Sequence, residues 1–173
     1  AEGSMDRSNG ESRQFVAIDI ETDGLDVRES NVIAIALFCD EWENQFQFAD
    51  CRNGMPEHFE VSLPVMFRSP NITWIGHNLQ FDLSFLKEKY GLEYPPGDRL
   101  WDTMLAEQLL TAGRDEERVG LADTILRHFG VALDKSHQTS FTLDGEISAE
   151  QVEYIRGDVE WLPQLAHEQA RKL

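Results

Sequence analysis

The longest uninterrupted apolar run in the chain is Val32-Ile33-Ala34-Ile35-Ala36-Leu37-Phe38-Cys39. It falls far short of the roughly 20 apolar residues that a membrane-spanning helix needs. Its composition suits a buried strand, and short runs of similar kind flank it. Residues 15–20 are rich in β-formers and are stopped by the turn signal Asp23-Gly24. Residues 42–48 alternate in polarity, which predicts a third strand joined to the second by a hairpin turn near Asp40-Glu41. A helix bent or interrupted at Pro64 is expected within 56–68. A strand follows at 72–75, then a helix over 78–90 that Gly91 stops. Trp101 opens a short strand leading into a helix capped by Asp102 or Thr103 and running to about Leu110. Residues 112–119 read as a charged loop and 121–129 as a helix closed by Gly130. Ser148 starts a helix reaching about Gly157, and a last helix over 159–172 continues it or kinks near Pro163.

This order predicts an α/β fold: a central mixed sheet, its first three strands antiparallel and later ones added by crossovers, flanked by helices. The 173 residues, 41% hydrophobic, suit one domain of ordinary size, which we place at 14–173. Residues 1–13 read as a disordered start in which Gly3-Ser4-Met5 looks like a cloning scar. No secretory signal or membrane span is expected. Cys39 and Cys51 lack CxxC spacing, which suggests reduced thiols and an intracellular setting, cytoplasmic in a prokaryote or virus.

The formal charge is −17. Phosphate attraction normally comes from Lys and Arg, so this balance is unusual for a nucleic-acid binder, and solvated surface carboxylates explain most of it. A subset could instead gather around divalent cations, which would invert the local field toward a phosphate. Spacing decides between these. Asp19 and Glu21 are two apart on the first strand and so share a face. Asn78 and Asp82 are four apart on one predicted helix, and Tyr154 and Asp158 repeat that interval on another. Taken singly, each has an ordinary reading: a strand-end acid in water, a helix N-cap at Asn78, a solvated helix acid, a core tyrosine with a wet hydroxyl. Their occurrence in order on suitable elements favours a convergent site. Carboxylate oxygens with no Cys or His cluster nearby favour Mg²⁺ or Mn²⁺ over Zn²⁺.

The same residues resemble a known family. Asp19-Ile20-Glu21-Thr22 resembles its DxET motif, Gly76-His77-Asn78-Leu79-Gln80-Phe81-Asp82 its GHNxxFD motif, and Tyr154-Ile155-Arg156-Gly157-Asp158 its YxxxD motif. Together they are similar to the DEDDy branch of the DnaQ-like 3′–5′ exonucleases, which have a ribonuclease H-like fold. That branch includes ribonuclease D and the proofreading domains of family-A DNA polymerases. The similarity runs from about Gln14 to the C-terminus. Residues 133–141 resemble the LxKSxQxSDW segment of ribonuclease D-like proteins and some phage-type polymerases, with Phe141 and Thr142 where Asp-Trp is common.

The resemblance implies that Asp19, Glu21, Asp82 and Asp158 hold two divalent cations, Mg²⁺ or Mn²⁺. It implies that Tyr154 orients the attacking water, and that Thr22, Leu25, His77, Asn78 and Phe81 contact the terminal nucleotide. Of these, His77 also reads as a local hydrogen-bonding residue ahead of a helix. The implied reaction removes 3′-terminal nucleotides from single-stranded or frayed DNA or RNA and releases nucleoside 5′-monophosphates, with a polymerase or another replication or repair protein as a compatible partner. Two rivals are an excised proofreading domain and a degenerate domain kept as an inactive nucleic-acid-binding module. A degenerate domain usually lacks a carboxylate, and here all four positions are filled.

Overall fold

The computed structural model describes residues 12–112, 114 and 117–173. Residues 1–11 of the expected disordered start, and positions 113, 115 and 116 of the expected charged loop, lie outside the described residues. The first strand, β1, spans Gln14–Thr22, so Asp19 and Glu21 stand within it rather than beyond its end. Strand β2, Val32–Phe38, is buried at every position, as befits a strand covered on both faces. Strand β3 is Phe46–Asp50, later than the expected 42–48. Phe38 pairs with Phe46, and Cys39 N–H donates to Gln45 O at 3.0 Å, so the hairpin closes around a longer loop. Trp42 sits in that loop, its N–H on Cys39 O, and packs against the core from there.

Helix α1, Glu57–Arg68, runs through Pro64 without the expected interruption. A proline inside a helix costs about 3 kcal/mol. Phe59, Leu63 and Phe67 are all buried on one face of α1, and each such side chain returns roughly 1.5–3 kcal/mol. Strand β4, Ile72–Gly76, leads into helix α2, Leu79–Tyr90, which ends at Gly91 in the left-handed region. A 3₁₀ turn at Gly97–Arg99 precedes strand β5, Leu100–Asp102. Helices α3, Thr103–Leu110, and α4, Leu121–Phe129, follow. Helix α5, Ala149–Glu160, extends past Gly157, and helix α6, Leu162–Lys172, is separate from it, with Pro163 in its first turn. Proline has no N–H to lose there and its fixed φ suits the first turn.

The sheet order is β3-β2-β1-β4-β5. The β1/β2 and β2/β3 pairs are antiparallel, and β1/β4 and β4/β5 are parallel. The expected mixed sheet with three antiparallel strands first is what forms. Strand β1 is central, and alternation along it feeds two core layers. Val16, Ile18 and Ile20 enter the layer covered by α1 and α2, while Ala17 enters the layer covered by α5 and α6. Continuing that period, Asp19 and Glu21 face the α5 side. Among the described residues no helix is long and apolar enough to cross a membrane.

Candidate active site

The carboxyl end of β1 overhangs its parallel neighbour. Strand β4 pairs with β1 only from Gln14 to Ala17, which leaves the stretch carrying Asp19 and Glu21 at the rim where open α/β sheets place ligands. Helix α5 lies across this end, anchored by Ile155 and Val159, 1% and 0% exposed. One turn of that helix separates Tyr154 from Asp158, so both face the strand. Ligand oxygens of Asp19, Glu21 and Asp158 all lie within 4.8 Å of one another.

Asp82 arrives from the other face. It is 3% exposed, and its Oδ1 accepts the Ile20 N–H at 2.9 Å, a donor that β4 ends too early to pair. Asp82 therefore docks α2 onto β1 between the two acids of the strand. Its charge acts on both, raising Asp19 and Glu21.

The turn from β4 into α2 is unusually close. A Cβ on Gly76 would meet the Leu79 side chain at 2.4 Å and Ile18 O at 3.3 Å, so a side chain there would force Leu79 to move. Asn78 follows at φ 66°, in the left-handed region, exposed and with no side-chain cap on α2. The capping role suggested by its position belongs to Asp102, whose carboxylate accepts the N–H groups of Asn78 (3.0 Å) and Leu79 (2.9 Å).

Burial is the largest cause of the electrostatic character of the cluster, and mutual repulsion adds to it. Glu21 is pushed up to about 8 and Asp158 to about 7, while Asp19 is raised well above the usual carboxylate range. Asp82 is also raised to about 8 by burial, although the Ile20 N–H works against the rise. Near neutral pH the cluster therefore holds protons that a cation can displace. The donors are all carboxylate oxygens, which fits a hard divalent ion. Tyr154 bonds to Asp158; burial first, then the charges of Asp158, Glu21 and Asp19, keep its hydroxyl protonated.

The remaining expected residues are dispersed around this centre. Thr22 Oγ1 donates to Gly24 O at 2.7 Å, and Leu25 is 86% exposed just beyond. Phe81 is half-buried, its ring centroid 4.8 Å from that of Phe85. His77 Nδ1 lies 2.9 Å from Thr103 Oγ1, and burial lowers its pKa, which favours neutral imidazole.

Two other side chains adjoin the site. Phe141, 3% exposed, has its ring centroid 6.1 Å from that of Tyr154, and His137 lies edge-on to Tyr154 at 6.2 Å. Gln151 closes the capping box with Ser148 and also bonds Ser140 O and Oγ, fastening this loop to α5. Phe141, where the resembled segment has Asp, thus packs an apolar ring beside that of Tyr154. The sequence signal was that departure itself. For Asp102, the available signal was the acid at the end of a short strand.

Comparisons with known proteins identify a family for the chain. The family model described as 3′–5′ exonuclease matches residues 7–173. The DNA polymerase of Escherichia phage T5 is 31% identical over 106 residues, 60% of this chain and 12% of the polymerase. DNA polymerase I of Aquifex aeolicus is 38% identical over 85 residues, 49% of this chain and 13% of the polymerase. The chain thus matches only about one-eighth of the length of these relatives. Among solved structures, Brucella melitensis NrnC bound to pGG is 25% identical, with a TM-score of 0.78 over 93% of this chain and 74% of that one.

Proposed function

We propose, from the premise that the chain belongs to the 3′–5′ exonuclease family, that it removes nucleotides from 3′ ends of DNA or RNA and releases nucleoside 5′-monophosphates. The observation that carries this reading is the convergence of Asp19, Glu21 and Asp158 within 4.8 Å, with Asp82 docked beside them on Ile20 N–H. Asp19, Glu21, Asp82 and Asp158 would hold two Mg²⁺ or Mn²⁺ ions. When bound, such a pair activates water and stabilises the leaving oxygen of a phosphodiester.

The chain's own groups do the positioning. Tyr154 stays protonated beside Asp158, so it can donate a hydrogen bond and orient the water, but it is not a base. Thr22 and Leu25 on one side, and Asn78 and Phe81 on the other, would flank the terminal nucleotide. His77 supports that wall through Thr103. The substrate is a single-stranded or frayed 3′ end, because a terminal phosphodiester must reach the rim of the sheet. Residues 14–173 act as one exonuclease domain inside the cell, where the buried Cys39 and Cys51 stay reduced.

Degradation of 5′-labelled single-stranded DNA and RNA, with Mg²⁺ and with Mn²⁺, tests this reading. Stepwise shortening from the 3′ end is expected; no shortening of either polymer in either metal overturns it. The polymerase relatives favour a second reading, in which the domain proofreads for a polymerase. In that case mispaired 3′ ends on duplex DNA are shortened faster than paired ones.

A further inference from the structure

We infer that Asp102 is a positioning residue for the carboxylate site, acting through the start of α2. This rests on the exonuclease reading only for its kinetic consequence, since the tether itself can be read from metal binding. The carboxylate of Asp102 accepts four backbone N–H groups from two helices. Oδ1 takes those of Asn78 (3.0 Å), Met104 (2.9 Å) and Leu105 (3.4 Å), and Oδ2 takes that of Leu79 (2.9 Å). The contacts to Met104 and Leu105 cap its own helix, α3. The contacts to Asn78 and Leu79 reach back 24 and 23 residues to the start of α2.

The second pair does work that α2 cannot do for itself. Asn78 occupies the N-cap position at φ 66° and contributes no side-chain cap. Among non-glycine residues Asn enters that region most readily, and tethering its backbone on both sides fixes it there. Asp102 holds it, by binding the N–H groups on both sides of the Asn78 Cα. Two consequences follow for the site. The Asn78 side chain is not consumed by capping and stays exposed. Helix α2 is also fixed at two points, at Leu79 by Asp102 and one turn later at Asp82 by Ile20 N–H. Those two points set where the Asp82 carboxylate stands relative to Asp19 and Glu21.

The chemistry of the carboxylate supplies variants that separate tether from cap and from charge. Asp102→Asn keeps the oxygen used by Asn78, Met104 and Leu105 but turns an amide N–H₂ toward Leu79 N–H. Asp102→Ser remains a good N-cap for α3 yet is too short to reach α2. Both remove the same charge. The experiment measures Mn²⁺ affinity by calorimetry, together with kcat and KM for an oligonucleotide at saturating Mn²⁺, and Tm alongside. Loss of a side chain that orients a metal ligand typically weakens affinity or activity by roughly 10–100-fold. Asp102→Ser is expected to weaken Mn²⁺ binding by about tenfold on that scale and to lower kcat, with a smaller loss for Asp102→Asn.

Ile125→Val, in the buried face of α4, serves as the control. It lowers Tm without moving the metal affinity or kcat. Unchanged Mn²⁺ affinity in Asp102→Ser overturns the inference and leaves Asp102 as a cap alone. Equal losses in the two variants also overturn it, since charge would then suffice. If Asp102→Ser does not fold, an unchanged Mn²⁺ affinity in Asp102→Asn overturns it. Wild-type protein that binds Mn²⁺ but cleaves nothing would sink the exonuclease reading while leaving the tether measurable.

Discussion

Asp82 and Glu107 are both buried carboxylates, 3% and 1% exposed, on neighbouring helices, yet their surroundings have opposite electrostatic sense. Around Asp82 stand Asp19, Glu21 and Asp158, and the described residues place no Lys or Arg in ion-pair contact with any of the four. Around Glu107 the chain supplies donors from two other helices. Arg127 approaches one oxygen at 2.5 Å, and His128 Nε2 and Gln169 Nε2 approach the other at 2.8 and 3.0 Å. Burial alone would raise Glu107, but the hydrogen bonds of Gln169, His128 and Arg127 outweigh it and hold the carboxyl below its usual range. The network continues through Gln169 to Thr103 O and Trp101 Nε1 and through Arg127 to Glu117, tying α3, α4 and α6 together. One site is complete within the chain. The other is left unbalanced, which is the condition for binding an ion from outside.

That contrast predicts which substitutions affect chemistry and which affect stability. The largest effect is expected from Asp82→Ala or Asp19→Ala. Cleavage of a 5′-labelled oligonucleotide should fall on the order of 10³-fold, as when a preorganised electrostatic group is removed. Full activity in Asp82→Ala would mean that the site lies elsewhere.

Glu107→Gln should behave in the opposite manner. Removing one partner from a buried ion pair costs about 3 kcal/mol, roughly 6–12 °C in Tm for a chain of this size. Metal affinity and kcat of the folded protein should stay as they were. A loss of kcat with Tm intact would show that the Glu107 network belongs to the chemistry after all.

A smaller effect is expected at Tyr154. Tyr154→Phe removes the hydroxyl but keeps the ring beside Phe141 and His137, and should slow cleavage roughly 10- to 100-fold, at or below the low end of general acid–base catalysis. Loss as complete as in Asp82→Ala would make the hydroxyl more than an orienting group.

The smallest effect is in pH dependence, where the two sites have opposite signs. Glu21 and Asp82, raised to about 8, and Asp158, raised to about 7, bind protons more tightly folded than unfolded. Their contribution to stability is full below the unfolded carboxylate range and is lost as pH rises toward those values. Glu107 is lowered, so its contribution is present above the unfolded range and is lost as pH falls. Because a cation competes with the cluster's protons, Mg²⁺ should raise Tm more at pH 8 than at pH 6. At roughly ten times its Kd the gain is about 1.4 kcal/mol. Thermal melts with and without Mg²⁺ measure this, and a gain independent of pH would place the ion away from these carboxylates.

Much of this organisation was legible before any coordinates. The second strand and the fourth helix fall at Val32–Phe38 and Leu121–Phe129, because an unbroken apolar run and a Gly130 stop leave little freedom. The third strand was misplaced because its register is set by pairing to β2, which the alternation at 42–48 does not report. Pro64 was read as bending or interrupting the helix, and no interruption forms, because the propensity of one residue is visible in sequence whereas the packing of Phe59, Leu63 and Phe67 is not. At the site, the i, i+2 and i, i+4 intervals identified acids and a tyrosine that the fold gathers at one end of β1. Asp102 was read only as a cap of its own helix, which it is, because its other partners lie 24 and 23 residues earlier in the chain.

The sequence by itself determined which faces the critical residues occupy, because strand and helix periods are local properties of the backbone. It set Asp19 and Glu21 on one face of β1, and Tyr154 and Asp158 on one face of α5. Only the tertiary structure decided that those faces meet, that Asp82 reaches them by taking the Ile20 N–H where β4 stops short, and that Glu107 is neutralised while they are not. The physical reason is range. Periodicity is set by neighbouring peptide units, whereas ligand oxygens within 4.8 Å and a carboxylate shared by two helices depend on strand register and helix docking.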